Sequence, residues 1–258
     1  MTGASVIWRG PWRAFVTDGW GGPEFERLVS QFNRVGHRES DQVLQDNARS
    51  LVVKTSLHGL PVVIKKSWDR GVSKRLKRRI LPPRASRAWH GARLVTDLGI
   101  ETPQRVAYVA KRGVLDCDAW LVTRYVAGVS ARDYLTRDDV TEGEKRRVVT
   151  QIVQTYVQLH AHSVVHGDNR PGNFLIRGHE LVLLDLDVTV RVPWWCGLRQ
   201  RYMQRDWRRL LARWRRQPAI ESLFREVIAA HGLPERLTGV APDARVGEHP
   251  YGFRDPYH

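Results

Sequence analysis

The residues best equipped for chemistry lie in one run, His166-Gly167-Asp168-Asn169-Arg170-Pro171-Gly172-Asn173. Apolar Phe174-Leu175-Ile176 follows, and then Leu183-Leu184-Asp185-Leu186-Asp187. An H-x-D-x-x-x-x-N spacing followed by a hydrophobic strand and an isolated acid is the pattern of metal-assisted phosphoryl transfer. That reaction needs one carboxylate beside the attacking hydroxyl. It also needs an amide oxygen and a second carboxylate to hold Mg²⁺ against nucleotide phosphates. A loop carrying Asp168 and Asn173, abutting a hairpin that ends at Asp185, delivers all three. Asp187 reads equally as a further metal ligand and as a turn former.

The same chemistry asks for a cation on the nucleotide phosphates. Val62-Val63-Ile64-Lys65 has the V-A-I-K form in which a strand lysine reaches the α- and β-phosphates, about a hundred residues before Asp168. Lys66 is the runner-up, but strand alternation aims it at the opposite face. His160, His162 and His166 could be imagined around zinc. The first ends an amphipathic helix and the third opens a turn, so core or backbone-bonding roles fit them better.

Stepping outward along the chain, Val43-Leu44-Gln45, Ser50 to Thr55 and Pro61 to Lys65, separated by Asp46-Asn47 and His58-Gly59, predict an antiparallel meander. Helical periodicity over Ser86 to Leu98 places Trp89, Leu94, Val95 and Leu98 on one face, and Gly99 ends the run. Gln104 to Ala110 and Ala119 to Val126 add two strands, so five strands surround one helix. After Gly128 the pattern turns helical. Thr141-Glu142-Gly143-Glu144 is a capping box opening a helix to His162, with Val149, Ile152, Val153, Tyr156 and Leu159 along one side. Residues 1–37, rich in Trp and Gly, read as an N-terminal extension. The expected organisation is therefore an extension (1–37), a small β lobe (38–126), a mainly helical lobe (127–233) and a loosely ordered tail (234–258).

The 258 residues carry 42 Lys and Arg against 27 Asp and Glu, a formal charge of +15, with 42% apolar residues. A chain of this composition buries a core, which excludes disordered, collagen-like and disulfide-scaffold classes. Thirty-five of the basic residues are arginine, as a GC-rich genome would produce whatever the function. Their distribution is more telling, because they concentrate in Arg70 to Arg87 and in Arg199 to Arg216. The second segment holds eight Arg and one acid, Asp206. Met203, Trp207, Leu210, Leu211 and Trp214 fall at helical spacing there and predict a core stripe. The arginines opposite them suit an anionic membrane surface, at on the order of 1 kcal/mol each. No nucleic-acid-binding signature accompanies them, so nucleic acid is not an expected partner. Cys117 and Cys196 show neither disulfide nor metal-ligand spacing, and neither a membrane span nor a secretion leader is legible. The expected location is the cytoplasm, peripheral on the inner face of the cytoplasmic membrane.

Taken together, VVIKKSW, RASRAWHGARLVTDLGIETP, LHAHSVVHGDNRPGN and LLDLD resemble the protein-kinase-like superfamily. Within it they resemble the lipopolysaccharide kinase family of Kdo and heptose kinases, over roughly Val43 to Leu211. Gly99-Ile100-Glu101-Thr102-Pro103 and the Asp-Leu-Asp motif point to that branch. The resemblance implies an α+β, two-lobed protein-kinase-like fold with a small antiparallel β N-lobe, a mainly helical C-lobe, and ATP and Mg²⁺ as cofactors. By position it makes Asp168 the residue that orients and deprotonates the acceptor hydroxyl. Asn173 and Asp185 become the Mg²⁺ ligands, Lys65 the nucleotide-binding lysine, and Arg170 the counterpart of a γ-phosphate-contacting lysine. Asp206 resembles the acid that opens a C-lobe helix. The implied acceptor is a sugar hydroxyl of lipopolysaccharide core or a related lipid-linked glycan.

Three departures keep other readings open. Where an acid should pair with Lys65 the chain reads Arg87-Ala88-Trp89. No G-x-G-x-x-G loop lies between the first two strands, and no Ala-Pro-Glu follows Asp185. A non-catalytic pseudokinase binding module is one alternative. A small-molecule phosphotransferase of the antibiotic type, which shares the H-G-D loop, is the other.

Overall fold

The computed structural model describes residues 4–10, 12–47, 50–67, 82–111, 119–193 and 197–241. The chain divides into two compact units, Met1–Leu94 with Thr102–Val126, and Val95–Glu101 with Ala127–His258.

The first unit is built on an antiparallel sheet of β1 (Ala4–Arg9), β2 (Trp12–Thr17), β3 (Gln42–Asp46), β4 (Ser50–Leu57), β5 (Leu60–Ser67), β6 (Arg105–Lys111) and β7 (Ala119–Arg124). Their order across the sheet is β1-β2-β6-β7-β5-β4-β3. The sequence reading of five strands is corrected here. The first 37 residues contribute the β1–β2 hairpin, which adds to the edge at β6, and helix α1 (Pro23–Ser30). The physical reason is a shared apolar face. One sheet row runs Val16, Ala107, Val122, Ile64, Val53, and Trp20, Phe25, Leu28, Val29, Phe32 and Val35 cover it in a single buried core. Phe32 stacks on Trp120, with ring centroids 5.0 Å apart. Without α1 and the turn after it, that row would face water.

The opposite face is set by the alternate row, Phe15, Tyr108, Leu121, Lys65, Val52. Helix α2 (Arg84–Asp97) packs there: its Trp89 meets Tyr108 at 6.0 Å, and Phe15 stacks on Tyr108 at 4.6 Å. Small residues carry much of that contact. Ala85, Ala88 and Ala92 are buried with Trp89 and Val95, whereas Leu94 and Leu98, expected inward, are only half buried. Gly99, at φ 74°, ends the run in the left-handed region, and Ile100 donates its N–H back to Val95.

The second unit holds α3 (Ala131–Leu135), α4 (Glu142–Ala161), α5 (Arg199–Ala212), α6 (Pro218–Ala230) and the short α7 (Glu235–Thr238). The capping box opening α4 is formed in full, Thr141 accepting from the Glu144 N–H and Glu144 from the Thr141 N–H. The stripe expected in the Arg/Trp helix is buried, with Trp207 against Tyr156 and Trp214 stacked on Phe224. Contrary to the expected loose tail, α7 packs: Leu237 lies on Val165, Val192 and Met203. Residues 242–258 lie outside the described residues, as do 70–81 of the first basic segment and both cysteines. Among the described residues no helix is long and apolar enough to cross a membrane.

Candidate active site

Two short loops lie side by side because the strands at both of their ends are paired. β9 (Val164–Val165) leads into His166–Asn173, which enters β10 (Phe174–Arg177) through a 3-10 turn at Pro171–Asn173. β10 pairs with β11 (Glu180–Leu183), and the chain then runs through Leu184–Thr189 into β12 (Val190–Arg191), which pairs back onto β9. Cross-ties lace the two loops. Leu184 N–H donates to Asn173 O at 2.7 Å, and the Thr189 hydroxyl donates to His166 O at 3.2 Å. This double anchoring brings Asp168, Asn173 and Asp185 together from separate stretches of the chain.

His166 organises the centre. Its Nδ1 accepts the Asp168 N–H, and its Nε2 lies 3.2 Å from Leu184 O, so the two contacts require the neutral ring with its proton on Nε2. Burial lowers its pKa and outweighs the opposing pull of the Asp206, Asp185 and Asp168 charges. Asp168, a quarter exposed, accepts from Arg170 Nε at 3.1 Å through Oδ1. The guanidinium stands beside the carboxylate, where it can also meet an incoming anion. Asn173 spends its amide N–H on Asp168 O at 2.8 Å, which turns its oxygen away from the loop backbone. Asp185 adopts φ 57°, an uncommon left-handed conformation for a residue other than glycine.

The sequence reading gave Asp206 no place in the machinery. Buried on α5, it accepts the His166 N–H at 2.8 Å and the Gly167 N–H at 3.1 Å, while its own backbone carbonyl accepts from Asn169 Nδ2. His160 Nε2 lies 3.4 Å from the same carboxylate. Burial alone would raise its pKa, but the His160 contact, the His166 N–H and the two histidines together hold it below the usual carboxylate range. Arg209, one turn further along, donates to Gly167 O at 2.7 Å. A lone acid among eight arginines was the available signal. Its target, forty residues away, had none.

Gly167 is required by space. Its φ is 81°, and a Cβ there would stand 3.0 Å from Val188 O. Asp187 is buried.

Lys65 belongs to the other unit, on the sheet face against which α2 packs; Lys66 points the other way, its Nζ 4.5 Å from the Trp120 ring centroid. α2 offers no acid between Arg84 and Val95. The oxygen donors Asp168, Asn173 and Asp185 suit Mg²⁺, a hard cation that takes its remaining ligands from phosphates and water. Among the described residues no three His, Cys, Asp or Glu side chains form a self-sufficient metal cluster.

A model of the lipopolysaccharide kinase (Kdo/WaaP) family matches residues 42–230. The chain belongs to that family. A solved structure, WaaP in complex with acyl carrier protein, superposes with a TM-score of 0.51 at 19% identity, covering 79% of this chain and 85% of that one. The likeness shows a shared protein-kinase-like fold. Serine/threonine-protein kinase PknJ of Mycobacterium tuberculosis is 31% identical over 90 residues, 33% of this chain and 15% of PknJ. Serine/threonine-protein kinase max-2 of Caenorhabditis elegans is 27% identical over 106 residues, 36% of this chain and 16% of max-2. The chain thus spans about a sixth of these curated relatives. Membership in this kinase family fits the His166–Asn173 loop and Asp185, while the absent helix acid and Gly-rich loop set the chain apart from protein kinases.

Proposed function

We propose that the protein transfers the γ-phosphate of ATP to a hydroxyl of a lipopolysaccharide core sugar or related lipid-linked glycan, at the inner face of the cytoplasmic membrane. The observation that carries this reading is the pair of cross-tied loops gathering Asp168, Asn173 and Asp185, in a chain whose family phosphorylates lipopolysaccharide. Bound Mg²⁺ and ATP supply the phosphoryl group and neutralise its charge. Asp168 orients the acceptor hydroxyl and takes its proton at a carboxylate oxygen. Arg170, already beside that carboxylate, offers its remaining N–H donors to the transferring phosphoryl. Asn173 Oδ1 and the Asp185 carboxylate hold the metal, and Lys65 meets the nucleotide phosphates. His166, fixed neutral, keeps the loop backbone in register without titrating near pH 7.

The full chain, given ATP, Mg²⁺ and deacylated core oligosaccharides, should yield a phosphorylated sugar, and Asp168→Ala should lower kcat by about 10²–10⁴-fold. Equal product from the variant would remove Asp168 from the mechanism. A wild-type chain that shows neither turnover nor a thermal shift with Mg·ATP would instead be a binding module.

A further inference from the structure

The outward side of α5 is a line of cations. Arg201, Arg205 and Arg208 recur at the steps that keep side chains on one face of a helix, and Arg215 continues the line beyond its end. All four are exposed, and with Gln204, Arg209 and Ala212 they line an open hollow of about 610 Å³. Among the described residues none of the four has a carboxylate within ion-pair distance, although Arg146 and Arg225 nearby in the same unit do. Mutual repulsion along the row works against the helix, so stability does not explain it. Nor can the helix roll to hide the row, because Met203, Asp206, Trp207, Leu210 and Leu211 bury its other side.

Two exposed apolar side chains flank the row. Leu198 and Tyr202, 45% and 40% exposed, stand three residues before Arg201 and Arg205. A soluble polyanion would use the arginines and ignore these two. A bilayer surface uses both kinds, since guanidinium groups grip headgroup phosphates while Leu and Tyr enter the interfacial layer.

We propose that the outward face of α5 seats the protein on an anionic lipid surface, with Arg201, Arg205, Arg208 and Arg215 on headgroup phosphates and Leu198 and Tyr202 in the interfacial layer. Its purpose rests on the reading of a lipid-linked acceptor, but the binding is measurable without ATP or acceptor. The inner side of the same helix holds the catalytic loop through Asp206 and Arg209. Seating α5 would therefore set the orientation of that loop toward a lipid-embedded sugar.

Co-sedimentation of the full chain with phosphatidylcholine vesicles, and with vesicles of about three parts phosphatidylcholine to one of phosphatidylglycerol, tests this at about 0.1 M salt. Binding should occur on the anionic vesicles alone. It should weaken at least about tenfold in R201Q/R205Q/R208Q/R215Q, and largely return when the same four positions carry Lys, which separates charge from folding. Leu198→Ser with Tyr202→Ser should weaken vesicle binding and leave binding of soluble inositol hexakisphosphate unchanged. Equal binding to neutral vesicles, or full anionic binding by the Gln variant, would overturn the proposal. So would a Ser variant that loses nothing on vesicles, which would mark a site for soluble polyanions. Turnover of a deacylated, soluble acceptor should be the same in the Gln variant and the wild type. Absence of any turnover would count against the kinase reading and leave the vesicle result standing.

Discussion

Asp206 holds His166 by its backbone: one carboxylate oxygen lies 2.8 Å from the His166 amide nitrogen, and both residues are buried. The other oxygen accepts from Gly167, so two successive N–H groups of the catalytic loop end on one charge. Backbone donors in a buried loop have few alternatives, and a carboxylate satisfies them more strongly than a neutral acceptor. Asp206→Asn keeps the shape but presents an NH₂ to one of these N–H groups. It should cost about 1.5–3 kcal/mol in denaturant unfolding and lower kcat with little change in the KM for ATP. An unchanged midpoint would show that the clamp is not under load.

His166 should make stability pH-dependent. Its folded pKa lies below the unfolded value near 6.5, so between the two the unfolded chain binds the extra proton. The stabilisation is complete above pH 6.5 and is lost as pH falls toward the folded value. Thermal midpoints from pH 7.5 to 5.5 should decline more steeply for wild type than for His166→Asn, which cannot titrate there. Asp206 adds a second and more acidic loss below the ordinary carboxylate range, where its native charge must be protonated. Parallel curves for the two proteins between pH 7.5 and 5.5 would remove His166 from this account.

Gly167→Ala should destabilise by about 1–3 kcal/mol, because it joins a left-handed backbone to a Cβ pressed on the Val188 carbonyl. Restoring an arginine there, as protein kinases have at this position, should be no better. Denaturation midpoints equal to wild type would mean the loop relaxes freely.

The two adjacent lysines should separate cleanly. Lys65→Met should depress phosphotransfer by about 10²–10³-fold, as for loss of one charge-stabilising donor, with unfolding little changed. Lys66→Met removes the cation from the Trp120 face and should cost about 0.5–2 kcal/mol of stability while leaving turnover near wild type. The reverse assignment would mean that the strand register puts the wrong residue on the α2 face.

Much of this was legible in the sequence because it is local. The spacing of Asp168, Asn173 and Asp185, the Thr141 capping box, the strand ending at Lys65 and the buried stripe of α5 each follow from residue type and period over a few turns of chain. Alternation alone sent Lys65 and Lys66 to opposite faces. The N-terminal 37 residues resisted reading because their glycines and tryptophans carry no clean period. Their strands exist only because β6 offers an unpaired edge and the β7–β5–β4 row offers an apolar face to α1.

By itself, then, the amino-acid order determined which side chains are available for phosphoryl transfer and in what succession they come. Tertiary structure decided how they are held. Asp206 reaches back forty residues to the loop, β12 returns to β9, and His166 is kept neutral between Asp168 and Leu184. These are long-range pairings between groups with no periodic signature, and they form because buried backbone donors and acceptors must find partners wherever the fold brings them.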